Sequence, residues 1–255
     1  MKSALASQWP DLDVLVLAAG QSQRLREILG DRPKPLIDVL GEPVLVRNLR
    51  WLAGHGMRRV WINLHYGAAA IQAALGDGSA LGLRIHYSYE RELLGTAGAA
   101  RALAGLWRRW LLVVYGDSLL NFDLSRFLNL AISSAAETAW LTVFEPDVNP
   151  VTAIAGSALL AGAEHRLLGF RETRNRAASP GDRIAAGVYC LPAAWISALP
   201  ESYPLDFGQD VFPLWLAQNK VLKVYPIEGY CLGMDTPATY RQALELIRAR
   251  NLLLS

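Results

Sequence analysis

Cysteine is scarce in this 255-residue chain, with Cys190 and Cys231 the only two present. Two cysteines make neither a disulfide framework nor a zinc cluster. The sequence therefore predicts free thiols in a reducing, cytoplasmic compartment. An excess of one charge is missing too: Lys and Arg number 25 against 23 Asp and Glu, a formal charge of +2. There is no long basic tract, and the basic residues are not interleaved with stacking aromatics, so a nucleic-acid partner is not expected. Long apolar runs are absent. The longest, WLLVVYG at 110–116, has strand length and falls short of the roughly 18 residues that cross a bilayer. The first ten residues carry one lysine and no apolar centre, so no signal peptide and no membrane partner are expected. His55, His65, His86 and His165 lie in unrelated segments, and no Ser/His/Asp spacing stands out. No GK[ST] follows a glycine-rich loop, which excludes a P-loop, and GQSQRL at 20–25 lacks the later glycines of the dinucleotide fingerprint.

What is present is a core. Hydrophobic residues make up 52% of the chain, enough for one large domain over 1–255. Residues 12–18 are almost wholly apolar, as a central strand covered on both faces requires. Strands are predicted again at 60–64, 84–89, 110–115 and 140–144. Helices are predicted between them at 43–53, 68–75, 97–106 and 124–135. This alternation over 12–145 predicts an α/β fold with a mostly parallel sheet. The rhythm breaks at 146–183, where AGAEHR marks a hairpin turn. Later come strands at 188–191 and 221–227 and helices at 211–218 and 238–250. No linker splits the chain, so 146–255 is expected to elaborate the same sheet. Of the eight tryptophans, Trp51, Trp61, Trp107, Trp110 and Trp140 read as core. Trp195 and Trp215 read as exposed residues that could serve a homo-oligomer contact.

Three places carry chemistry. Leu17-Ala18-Ala19-Gly20 ends the first strand with residues small enough for a ligand to approach the backbone, and Gly20 can take a shape barred to other residues. Beyond it, Arg24 and Lys34 supply cations. Lys34 lies between Pro33 and Pro35, which stiffen the loop that would present it to a phosphate. ELLGTAGAARAL at 92–103 sets Gly95 and Gly98 around Thr96, a residue able to cap the next helix so that its amides face an anion. LLVVYGDS at 111–118 ends a buried strand on Gly116-Asp117. A lone carboxylate there suits Mg²⁺, which binds few carboxylates and several phosphate oxygens. Asp123 reads as the cap of the helix that begins at 124.

Taken in order, LAAGQSQRLREILGDRPKPLIDVLGEPVL, YERELLGTAGAARAL, VVYGDS, GFRET, AAGVY and DTPATYRQAL resemble the sugar-1-phosphate nucleotidyltransferases, over about 14–247. The resemblance implies a Rossmann-like three-layer sandwich with a mixed, mostly parallel central sheet. The nucleotide would lie in the 12–145 half, and 146–255 would supply the sugar side and a C-terminal helix. It implies transfer of a nucleotidyl group from an NTP to a sugar 1-phosphate with Mg²⁺ as cofactor, releasing pyrophosphate. The short REILGD spacer resembles the heptose-1-phosphate branch, which favours GTP with a heptose- or mannose-like sugar and leaves uridine, thymidine and cytidine nucleotides open.

Carried over by residue, Leu17, Ala18, Ala19, Gly20, Ser22, Gly95 and Thr96 would line the nucleotide. Arg24 and Lys34 would neutralise phosphates, and Asp117 would hold the metal. Gly116, Glu172, Arg174 and Gly187 would meet the sugar phosphate. The chain also departs from the family pattern. Ser22 replaces a glycine, and Arg174 stands near the place of a missing lysine. Ala185 replaces the asparagine that should bond the sugar. Gly233 stands where the second metal-binding Asp belongs, and Asp235 follows two residues later. Asp235 then either reaches the same ion or caps the helix at 237. These losses leave a second reading open, a non-catalytic sugar-nucleotide-binding regulatory protein.

Overall fold

In the computed structural model, which describes residues 7–20, 23–133, 137–145, 157–172 and 183–252, the apolar run Leu12–Leu17 is strand β1, buried along its whole length. It is followed by α1 (Val44–Gly54), β2 (Arg59–Leu64), α2 (Ala68–Leu75), β3 (Arg84–Tyr89), α3 (Thr96–Ala102) and β4 (Trp110–Tyr115). Next come β5 (Ser118–Phe122), α4 (Leu124–Ile132), β6 (Ala139–Phe144), β7 (Ser157–Ala161), β8 (Leu167–Glu172) and β9 (Ile184–Pro192). The chain then runs through α5 (Phe212–Ala217), β10 (Leu222–Pro226), β11 (Gly229–Gly233) and α6 (Pro237–Ala249).

The main sheet has nine strands, in the order β8-β7-β9-β4-β1-β2-β3, with β6 pairing both β9 and β10. From β4 to β3 every pairing is parallel. Strand β9 runs antiparallel to β4 and to β6, so the sheet is mixed. Period-two alternation along β1 divides the core between the two faces. Val14 and Val16 pack on one side with Leu45, Leu49 and Leu52 of α1. Leu15 and Leu17 pack on the other with Ala97 and Ala100 of α3 and with Phe207 and Phe212. That arrangement is the three-layer α/β sandwich, and it explains why the strand reads as continuously apolar.

Several local expectations change. Helix α3 ends at Ala102, and the chain continues in a separate 3₁₀ turn at Ala104–Leu106. Trp195 and Trp215 are buried, edge to face with each other, so neither is a surface available to a second subunit. The hairpin expected around AGAEHR forms as β7–β8. The helix at Leu124 is capped by Asp123, whose side chain accepts from Arg126 N. A second, two-stranded sheet of β5 and β11 was not predicted, because its short strands follow Gly116-Asp117 and precede Asp235 with no clear alternation.

Asp13 is the one acid within β1, and its side chain is wholly buried. Arg59 and Arg108 pair with it, and Arg108 N donates to Oδ2 at 2.7 Å. Burial alone would raise its pKa. The hydrogen bonds from Arg108 and Arg59 outweigh that and hold the carboxyl below its ordinary value. A depressed folded pKa means stabilisation that is complete above the unfolded value of about 3.9 and is lost as pH falls through the folded one. Asp13→Asn should lower stability by about 2 kcal/mol at neutral pH, below the usual cost of breaking a buried pair because both guanidinium groups stay partly hydrated. Urea unfolding at pH 7 and at pH 3 checks this: the gap between native and variant should shrink in acid.

Candidate active site

Strands β1 and β4 lie in register, with Leu17 opposite Tyr115. Ala18-Ala19-Gly20 and Gly116-Asp117 therefore leave the sheet side by side. Gly116 N donates to Leu17 O at 2.9 Å, and a Cβ on Gly116 would meet that same oxygen at 2.9 Å. Glycine is required there by the neighbouring strand. Gly20 behaves differently. It has no left-handed φ, and a Cβ on it would meet nothing within 4 Å, so the expected special backbone shape is not adopted. The space beside it is open cavity.

The Ala18 turn is held from below. Ala18 N donates to Asn63 Oδ1 at 2.8 Å. Asn63 Nδ2 donates to Glu90 Oε1 at 2.8 Å, and Leu94 N donates to Glu90 Oε2 at 3.0 Å. Asn63 and Glu90 are both buried. A buried amide and carboxylate linked this way fix the tips of β1, β2 and β3 relative to one another. Sequence reasoning missed both residues. The available signal was a polar residue near the end of β2 and another directly after β3.

Lys34 opens a 3₁₀ turn, Lys34–Leu36, that is anchored by buried Leu36 and Ile37. Pro33 packs against Gly67, where a Cβ would meet the proline ring at 2.7 Å. Held so, Lys34 is 5% exposed. Its Nζ donates to Asp117 Oδ2 at 2.7 Å and to Asp235 Oδ1 at 2.6 Å. Burial would lower the ammonium pKa, but the two carboxylates outweigh it and raise the value above the ordinary one. Lys34 is therefore a buried, fully charged cation clamped between two acids.

Asp235 reaches this point because of how β11 runs. Gly233 pairs with Ser118, the residue after Asp117. Leu232 and Met234 both turn into a core cluster with Leu25, Ile37 and Val39. Side chains alternate along an extended chain, so 233 and 235 share the opposite side. A carboxylate moved from 233 to 235 thus stays on the site's side of the chain. The alternative capping role falls to another residue: Thr236 is the N-cap of α6, in a capping box with Thr239.

Thr96 does not cap α3. The cap position is Gly95, with no side-chain bond, and the Thr96 hydroxyl instead donates to Asp206 Oδ2 at 2.8 Å and accepts from Phe207 N at 2.9 Å. The amides of Ala97 and Gly98 donate to Leu205 O at 2.9 and 3.0 Å, so these two do not face an anion. The glycines are explained the same way. A Cβ on Gly95 would sit 2.4 Å from Leu205 O, and one on Gly98 would sit 2.9 Å from the Tyr203 ring. The GTAG stretch is small so that 203–207 can lie against it.

Three cavities meet at Asp117. One, of about 340 Å³, runs over Leu17, Ala18, Gly20, Arg24, Lys34 and Asp235. A second, of about 220 Å³, is bounded by Ala19, Asn63, Glu90, Gly95, Thr96 and Tyr115. The largest, of about 850 Å³, lies between β6, β9 and the start of α5, and Ala185, Gly187, Tyr189, Asp206 and Asp235 line it. Arg24 is exposed at the rim of the first and makes no ion pair among the described residues. Gly187 has φ +72° at an irregularity in the β6–β9 pairing and packs on Tyr115. Ser22 and Arg174 lie outside the described residues, as does the side chain of Glu172. Cys190 and Cys231 are free and buried, and burial pushes the Cys231 thiol up to about 12, so it is no nucleophile at neutral pH.

The donor set at Lys34 fits a hard cation. Two carboxylate oxygens already hold one positive charge between them. Among the described residues no group of three or more His, Cys, Asp or Glu could hold a metal ion. Two carboxylates with the remaining positions left to water and phosphate is what Mg²⁺ favours.

The chain is similar to known proteins over most of its length. Mannose-1-phosphate guanylyltransferase of Mycobacterium tuberculosis is 32% identical over 241 residues, 93% of this chain and 65% of the relative. The chain thus spans less than two thirds of that relative's length. D-glycero-alpha-D-manno-heptose 1-phosphate guanylyltransferase of Aneurinibacillus thermoaerophilus is 26% identical over 233 residues, 91% of this chain and 96% of the relative. The crystal structure of HddC from Yersinia pseudotuberculosis superposes with a TM-score of 0.76 at 24% identity, covering 91% of this chain and 98% of that one, a likeness of fold. The nucleotidyl transferase family model matches residues 13–230, and the chain belongs to that family.

Proposed function

We propose that the protein transfers a nucleotidyl group from an NTP to a sugar 1-phosphate, releasing pyrophosphate. The convergence of Lys34, Asp117 and Asp235 at the junction of three cavities carries this reading. The nucleoside fits the cavity bounded by Ala19, Glu90 and Gly95, the triphosphate the one beside Lys34 and Arg24, and the sugar the large one under β9. The 12–145 half thus serves the nucleotide and 146–255 the sugar. Relatives named as guanylyltransferases of mannose 1-phosphate and of heptose 1-phosphate favour GTP and a mannose-like sugar.

A phosphate oxygen of the sugar 1-phosphate attacks the α-phosphorus. The bond from the α-phosphorus to the bridging oxygen breaks, and that oxygen leaves with pyrophosphate. The attacking oxygen is already ionised, so no side chain must take a proton. Lys34 brings two anions together and offsets charge at the α-phosphate, and Arg24 receives the departing end. Asp117 and Asp235 would hold Mg²⁺, which supplies further charge neutralisation at the phosphates when bound. Buried free thiols suit the cytoplasm.

A pyrophosphate-release assay with Mg²⁺ over GTP, UTP, dTTP and CTP, each with glucose, mannose, N-acetylglucosamine and heptose 1-phosphates, tests the proposal. Release with at least one pair is expected. Nucleotide binding without release from any pair would overturn it in favour of a regulatory binding protein.

A further inference from the structure

The large cavity contains an acid that neither the sequence motifs nor the Lys34 cluster accounts for. Among the described residues lining it, Asp117, Asp206 and Asp235 are the carboxylates, and Lys34 engages the first and last. Asp206 is only partly buried. Its Oδ1 accepts from Gly208 N at 2.8 Å and Gln209 N at 3.0 Å, and its Oδ2 accepts from the Thr96 hydroxyl at 2.8 Å. A carboxylate can accept about four hydrogen bonds, so one acceptor direction is left on Oδ2. The turn amides fix one oxygen and Thr96 the other, which makes Asp206 a preorganised group.

Among the described lining residues the other hydrogen-bonding side chains are neutral, those of Tyr115, Ser118, Tyr189, Gln209 and Cys231. Ala185 and Gly187 of β9 border the same cavity and carry no hydrogen-bonding side chain. A negative charge repels a phosphate and accepts from hydroxyls. It therefore favours the orientation in which a sugar phosphate turns its phosphate to Lys34 and its ring hydroxyls to Asp206. Thr96 lines the neighbouring 220 Å³ cavity, so the Asp206–Thr96 bond joins the two chambers.

We infer that Asp206 is a sugar-binding and specificity-determining residue, accepting a hydrogen bond from one hydroxyl of the sugar 1-phosphate and taking over the work of the side chain absent at Ala185. The inference rests on the nucleotidyltransferase reading above. Asp206→Asn keeps an oxygen for the Gly208 and Gln209 amides and replaces the free acceptor with a donor. Its KM for the sugar 1-phosphate turned over best in the panel above should rise about tenfold, as for loss of one hydrogen bond to a charged group. The GTP dissociation constant should change less, by about threefold at most, because Asp206 reaches that cavity only through Thr96.

Monodeoxy analogues of the same sugar 1-phosphate give the decisive readout. One analogue should lose about tenfold in kcat/KM on the native enzyme and almost nothing further on Asp206→Asn, a coupling that a purely structural role does not produce. Asp206→Ser, whose hydroxyl can also cap the turn, repeats the measurement if the asparagine variant folds poorly. An unchanged KM in a folded variant, or equal deoxy losses on native and variant enzyme, would overturn the inference while leaving the enzymatic reading intact. No release by the native protein from any pair would remove both.

Discussion

Lys34→Met is expected to depress turnover by about two to three orders of magnitude, the usual cost of removing a group that stabilises charge at the reacting centre. Methionine keeps the length and removes the charge, so packing beneath Pro33 and Pro35 should survive. The same substitution should have an opposite effect on metal. In the free protein the ammonium lies 2.7 Å from Asp117 and 2.6 Å from Asp235, in the space between two acids where a divalent ion would bind. With methionine there, the carboxylates repel each other and gain by sharing a cation. Mn²⁺ binding without nucleotide, followed by electron paramagnetic resonance, should tighten by about tenfold. Weakened activity with unchanged Mn²⁺ affinity would show that Lys34 does not compete for the carboxylates. Melting temperature in the presence of metal separates both effects from loss of fold.

Much of this molecule is legible in the sequence, and the parts that are not share a cause. The parallel strands β1, β2 and β4 could be read because burial leaves largely apolar runs, and the edge strand β3 because of its β-branched and aromatic residues. Asp117 stood out because it follows such a strand directly, and Lys34 because Pro33 and Pro35 flank it. The β5–β11 ribbon could not, because it is made by pairing residues more than 100 apart, and neither strand shows its partner. The position of Asp235 depends on that ribbon, so sequence left it open between ligand and cap; the structure gives the cap to Thr236 and sets Asp235 against Lys34. The glycines of GTAG have a second reason to be small that the sequence does not show. Gly95 borders the 220 Å³ cavity and also lies against the backbone of Leu205, while Gly98 lies against the Tyr203 ring, long-range contacts that no local pattern reveals. Asp206 was missed because two of its hydrogen bonds only mark a turn, and the third, from Thr96, links it to a helix start 110 residues away.

Asp235→Gly should lower turnover by about a hundredfold and weaken Mn²⁺ binding in parallel, since it leaves Asp117 as the single carboxylate at the junction. The more telling expectation concerns where the carboxylate stands. Leu232 and Met234 are fixed in the core, so positions 233 and 235 project together toward Asp117. A second change, Gly233→Asp, in the Asp235→Gly background should therefore return activity to within about tenfold of native, because alternation along an extended chain restores a carboxylate to the same side. Helix α6 should be indifferent to the exchange, because Thr236 and Thr239 cap it and residue 235 contributes only its backbone N–H, to the Thr239 hydroxyl. Failure of the double variant to recover either Mn²⁺ affinity or turnover, with the melting temperature unchanged, would mean that the carboxylate works only from 235. The site would then depend on the particular reach of that residue past Lys34, and the displacement of the acid by two positions would be a requirement of this chain's own loop and not a neutral exchange.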